Sequence, residues 1–297
     1  ILRNKITSRI KSFFKNSNDK DISGVAIALL TGQRQFITDS LIDNIRNSGL
    51  AHLLAISGLH IGLISGFVFF STRKLLSFSS YISLRFPIKK WASVIAIFSA
   101  VFFTLLTGAS TPTIRAMIMT SLVFIGILVD RKAFSFYTLA WSAIFILIPY
   151  PESLISASFQ LSYSAVFFLI YFYEQRKEKI NYFKSLIQTS LVASLATFPF
   201  IAFHFQQFTP LGVFSNLVAV PITAILVMPF GFLALILMPF QLEYIALKIM
   251  GWGIELLIKI ADYFVTLPFN YLHLEQFDPI FIVFFILSTL LLLAHSF

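Results

Sequence analysis

Residues 91–132 read WASVIAIFSAVFFTLLTGASTPTIRAMIMTSLVFIGILVDRK. Two apolar runs, roughly 92–107 and 113–129, each approach the ~20 residues that a helix needs to cross the hydrocarbon, or about 17 among buried neighbours. Between them Gly108 to Pro112 holds no charge, whereas Lys89 and Lys90 precede the pair and Arg131 and Lys132 follow it. Basic loops stay on the cytoplasmic side. The stretch is therefore a helical hairpin that enters and leaves a bilayer from the inner face.

The same alternation runs outward along the chain. Further apolar runs fall near 51–70, 134–149, 157–173, 185–204, 210–238 and 279–297. Arg73, Lys74 and Arg85 follow the first, and Arg176, Lys177, Lys179 and Lys184 follow the fifth. The loops at Pro149 to Glu152 and Gln206 to Pro210 contain no Lys or Arg. The predicted fold is an all-α, polytopic transmembrane bundle of about eight to nine spans, some broken by proline, with amphipathic helices at the interface. Residues 1–50 then lie outside as a basic amphipathic segment, and 51–297 form the membrane domain. Val25 to Leu30 is too short to cross.

Composition agrees with this reading. Of 297 residues 58% are hydrophobic and 12% charged, and the mean hydropathy is +0.86, more apolar surface than a soluble fold hides. Trp91, Tyr137, Tyr150, Tyr171 and Tyr173 stand near span ends, as interfacial aromatics do. The net charge of +9 sits in loops and termini, where it attracts anionic lipid or nucleic acid. With no cysteine, disulfides, thiolate catalysis and cysteine zinc sites are excluded. A start at Ile1 and an apolar end lead us to expect a segment of a longer protein. In residues 1–15, Leu2, Ile6, Ile10, Phe13 and Phe14 recur at helical spacing among Arg3, Lys5, Arg9, Lys11 and Lys15, the pattern of a basic surface helix.

Several polar residues stand inside apolar runs. In HLLAISGLHIGLISG, from His52 to Gly66, Gly58, Gly62 and Gly66 make a smooth ridge suited to close helix packing. His60 points nearly opposite, with Ser57 about 60° from it, a polar edge for a hydrogen bond to a neighbour or for lining a pathway. On one continuous helix His52 and His60 lie about 12 Å apart, too far to share a metal. Arg115 follows Thr111 and Pro112, a predicted N-cap and first turn; it serves either as a lipid-phosphate anchor or as an anion-facing group. Gln160 and Ser164 share a face, with Ser162 on another. Pro199, Pro221 and Pro229 are predicted helix breaks, with Asn216 nearby. From Tyr244 to Thr266, Lys248, Glu255, Lys259 and Asp262 form a charged stripe, on an interfacial helix or on a span facing a wet cavity. No GxxxxGK[ST], HExxH, HxHxD or GxSxG motif occurs, so neither an enzyme activity nor a bound cofactor is predicted.

Four blocks resemble the membrane-spanning competence domain of the ComEC/Rec2 family. They are ALLTGQRQFI (28–37), GLAHLLAISGLHIGL (49–63), FQLSYSAV (159–166) and TFPFIAFHFQQFTPLGVFSNLVAVPI (197–222). The resemblance implies a multi-pass protein of the bacterial inner membrane that passes single-stranded DNA during natural transformation. It also implies a periplasmic DNA receptor and a cytoplasmic helicase-like motor as partners, and leaves room for a homo-oligomer in contact with membrane lipids. Full-length members add an OB-like domain and a metallo-β-lactamase-like nuclease domain, neither of which is visible in this sequence. On this reading His52, Ser57, His60, Arg115, Gln160, Ser162 and Asn216 line the polar path. The alternatives are a small-solute or lipid-precursor transporter, or a non-conducting truncated homologue.

Overall fold

Helix boundaries follow from local chemistry. In the computed structural model the described residues are 2–15, 19–175, 181–268, 270–275, 278, 280–282, 285 and 287–288. The helices are α1 (Leu2–Phe13), α2 (Lys20–Thr31), α3 (Asp39–Asn47), α4 (Ala51–Leu54), α5 (Gly58–Ser77), α6 (Ser80–Arg85) and α7 (Ile88–Leu106). They continue with α8 (Thr111–Leu128), α9 (Phe136–Leu147), α10 (Ala157–Glu174), α11 (Tyr182–Phe205), α12 (Gly212–Ile222), α13 (Met228–Leu237) and α14 (Tyr244–Thr266). Ser135 and Ser156 cap α9 and α10 by accepting the backbone N–H three residues on. The N-cap of α8 is Ser110, one residue earlier than the spacing predicts, which leaves Pro112 inside the first turn. One two-residue ladder pairs β1 (Gln207–Phe208) with β2 (Leu272–His273).

Among the described residues, five helices are long and apolar enough to cross a membrane: Gly58–Ser77, Ile88–Leu106, Thr111–Leu128, Lys184–Phe205 and Gly212–Phe240. The apolar α9 is shorter. Most of the predicted span at 279–297 lies outside the described residues, as do Arg176, Lys177 and Lys179; Phe285 rests against Phe168 of α10 and Phe200 of α11.

Prolines act unequally. Pro199 sits within an unbroken α11, so the predicted break there does not occur. Pro221 and Pro229 instead bracket a π-helical turn, Thr223–Val227, that joins α12 to α13 in one composite helix. The Met228 N–H reaches back to the Thr223 carbonyl, and Pro229 has no N–H to offer.

The main core is not confined to residues 51–297. Every residue of α2 from Ser23 to Thr31 is buried, in the cluster that also holds Ile61, Phe103, Val227 and Met250. A Cβ on Gly24 would lie 2.3 Å from the Phe36 carbonyl oxygen, so the chain after α2 folds back directly onto it. Residues 1–50 thus supply an inner helix as well as a basic surface.

That surface is partly spoken for. Arg3 donates to the Thr31 carbonyl at 2.7 Å and lies against Gly108, in the turn between α7 and α8. Arg9 donates to the Met238 carbonyl and pairs with Glu243, while the Lys11 ammonium stands 3.5 Å over the Phe36 ring. Helix α14 lies lengthwise and antiparallel on the composite helix, Gly253 against Val227 and Gly231 against Met250. Its stripe faces away from the core: Lys259 pairs with Glu255 at 2.7 Å, and Asp262 accepts from Asn44 of α3 at 2.9 Å.

Candidate functional site

The polar groups of the bundle converge on α10. Arg115, one turn into α8 and 5% exposed, donates through Nη2 to Ser158 Oγ at 2.7 Å and Ser162 Oγ at 3.1 Å. Those serines are four residues apart and so share one face of α10. Tyr163 Oη meets Ser142 Oγ of α9 at 2.9 Å. On the other side, His204 Nε2 of α11 donates to Gln160 Oε1 at 2.7 Å, and Gln160 Nε2 donates to the Leu154 carbonyl at 3.2 Å. Ser164 Oγ donates to the Ala196 carbonyl at 2.5 Å. The result is a seam of hydroxyl, amide and imidazole groups linking α8, α9, α10 and α11. No described carboxylate pairs with the buried guanidinium.

The remaining predicted residues lie elsewhere. His52 and His60 do not share a helix: Ala55 to Ser57 run extended between α4 and α5, which removes the rigid 12 Å spacing. Ser57 and His60 form a capping box, the Ser57 N–H donating to His60 Nδ1 at 3.2 Å with Ser57 Oγ 3.1 Å from the same nitrogen. His60 is fully buried, and its Nε2 has no partner among the described residues. His52 is exposed. Asn216 of α12 has a buried Oδ1 without a partner among the described residues, beside Ser215, which donates to the Ser48 carbonyl at 2.6 Å. Ser158, Tyr163, Ser142 and His204 are seam members that sequence reasoning did not select. The spacing of Ser158 and Ser162 around Gln160 was the available signal.

The glycine ridge is not a helix seat. A Cβ on Gly58, Gly62 or Gly66 would meet nothing within 4 Å. The ridge walls a cavity of about 530 Å³ between α5, α8, α9 and α10, faced by Phe69, Phe124, Leu139 and Ile170. None of the seven predicted path residues lines it. Among the described residues no three His, Asp or Glu side chains converge to hold a metal.

Residues 29–296 match the family described as Competence protein. The chain belongs to that family. Among curated proteins, this Competence family chain is 28% identical over 267 residues to ComE operon protein 3 of Bacillus subtilis, covering 86% of the chain and 33% of that protein. It is 30% identical over 239 residues to Recombination protein 2 of Haemophilus influenzae, covering 74% and 29%. Competence protein ComA of Neisseria gonorrhoeae is 22% identical over 268 residues, covering 88% and 37%. The chain thus spans about a third of the length of these Competence relatives. No solved structure matches. The resemblance blocks fall on the geometry above: 49–63 makes the α4–α5 break, 159–166 the α10 seam, and 197–222 carries His204, Ser215 and Asn216.

Proposed function

We propose that this chain is a membrane conduit for a single DNA strand taken up in natural transformation. Membership of the Competence family supports DNA uptake as the process. The observation that carries the conduit reading is Arg115, a buried guanidinium without a carboxylate, heading the hydroxyl-rich seam of α8 to α11. Ionisable groups are expensive inside a bilayer and face the bundle interior where a polar cargo passes. A DNA strand carries one charge per phosphate, and guanidinium is a strong partner for it. Seam residues Arg115 and Ser162 form the path's narrowest polar stretch; His52, Ser57, His60, Gln160 and Asn216 line its flanks. Lys5, Lys15, Lys20, Arg34 and Arg46, all exposed, collect the strand on the outer face, since Arg3, Arg9 and Lys11 are engaged in holding α1.

The full complement on this reading is eight to nine crossings of the bacterial inner membrane, with α9, α10 and the 279–297 run joining the five long apolar helices. No P-loop occurs in the sequence, so the driving force comes from a cytoplasmic helicase-like motor, and a periplasmic receptor hands over the strand. The apolar cavity favours a second reading, transport of a lipid precursor. Labelled-DNA uptake into the cytoplasm decides between them at matched membrane abundance. Gene deletion abolishes uptake on the conduit reading. Unchanged uptake in the deletion strain sinks it and leaves lipid transport standing.

A further inference from the structure

The 530 Å³ cavity has a shape, a lining and a charged mouth that together specify an occupant. Along α5 it reaches from Gly58 to Phe70, a rise of about 18 Å at 1.5 Å per residue. That is roughly one leaflet of a hydrocarbon core ~30 Å thick. Its rim is open, with Phe70 66% and Phe134 72% exposed. A slot of that length takes one extended acyl chain, whose reach likewise spans about one leaflet.

The end near Phe70 opens beside Ala133 and Ser135. Arg131 and Lys132, just before them, are exposed, and their side chains make no hydrogen bond or ion pair among the described residues. The nearby carboxylate of Asp130 is already held by Lys90 at 2.7 Å. Ser135 begins α9, so the positive end of that helix faces the same mouth. An apolar slot one leaflet long that ends at two unpaired cations matches one amphiphile.

We propose that the cavity holds one acyl chain of an anionic phospholipid, with its headgroup phosphate on Arg131 and Lys132. The inference rests on the membrane-spanning reading but not on DNA as cargo. Its lipid readout comes from purified protein and is independent of any uptake assay. The full chain is extracted in detergent, exchanged with phosphatidylglycerol or phosphatidylcholine carrying sixteen-carbon chains, and examined by native mass spectrometry. Wild type retains one phosphatidylglycerol per chain. Gly62→Leu or Gly66→Leu, which fill the slot where a Cβ meets nothing, each lower retention about tenfold, with thermal midpoints unchanged. Arg131→Glu with Lys132→Glu abolishes the preference for phosphatidylglycerol over phosphatidylcholine. Equal retention in wild type and both leucine variants would overturn the proposal, as would a dimer that those variants dissolve.

Discussion

At the scale of single residues, Arg115 concentrates the most chemistry in the least space. Its Nη2 alone donates to two hydroxyls of one helix face, on a planar group less strongly hydrated than a lysine ammonium. Arg115→Ala should cost about 1–3 kcal/mol of stability through the buried bonds lost, read as a lower melting temperature in detergent. On the conduit reading Arg115→Ala also lowers DNA uptake about tenfold, with Arg115→Lys recovering only part; wild-type uptake at matched abundance would contradict it. The arginine was legible in the sequence as an oddity, but its partners 43 and 47 positions away were not, because a helix pairing of that kind leaves no local trace. Glycines give a sharper contrast. Gly24→Ala pushes a methyl onto the Phe36 carbonyl and should destabilise by about 1–3 kcal/mol, whereas Gly62→Ala meets open space and should be neutral or stabilising by up to about 1 kcal/mol. Thermal melts of the two variants side by side check this. Spacing alone showed where the glycines fall on α5, but a ridge that seats a helix and one that walls a cavity have the same spacing. Asp130 is held below the usual aspartate range, first by the hydrogen bond from Lys90 and then by its charge. The pair's contribution is present above the ordinary carboxylate range and fades only as pH falls through the lowered value. Because the pair is exposed, melting should be flat between about pH 5 and 8 and Asp130→Asn nearly silent.

At the scale of elements, long apolar runs were readable because hydropathy needs no partner, and the helices from 88 to 174 fall within a few residues of expectation. The start of α5 was missed. Ser57 caps it with histidine at the third helical position in place of the usual Glu or Gln, so the signature passed for a continuous helix. His60→Gln should preserve the cap and His60→Ala lose it, a difference of about 1 kcal/mol that helix-resolved hydrogen exchange around residues 57–61 would register. Equal exchange in the two variants would refute the box. The basic face of α1 was equally legible as a surface, yet nothing in its spacing shows that Arg3 and Arg9 are tied to the turn at Gly108 and to Met238 and Glu243. Replacing both with alanine should release α1 and speed trypsin cleavage at Lys5 and Lys11. Unaltered cleavage would mean that packing at Ile6 and Ile10 suffices.

At the scale of the whole molecule, charge alternation assigns Lys89 and Arg131 to the inner face and Gly108 to Pro112 to the outer. The native chain has no cysteine, so single cysteines at Lys89 and Ser110 can be labelled from one side at a time. Labelling of Lys89→Cys from outside would invert the topology. What hydropathy could not foresee was α2, whose apolar core is too short to register as a span and yet ends fully enclosed. That enclosure has a temporal side. The face that α14 offers α2 begins at Tyr244, more than two hundred residues after α2 leaves the ribosome. At about 5–20 residues per second, roughly 10 to 40 seconds pass between the synthesis of the two. During that interval a dozen residues, too few to be taken as a membrane span, have no finished home. Assembly of this membrane unit therefore cannot proceed helix by helix in order of emergence; it closes retrospectively, when α14 arrives to shut α2 in.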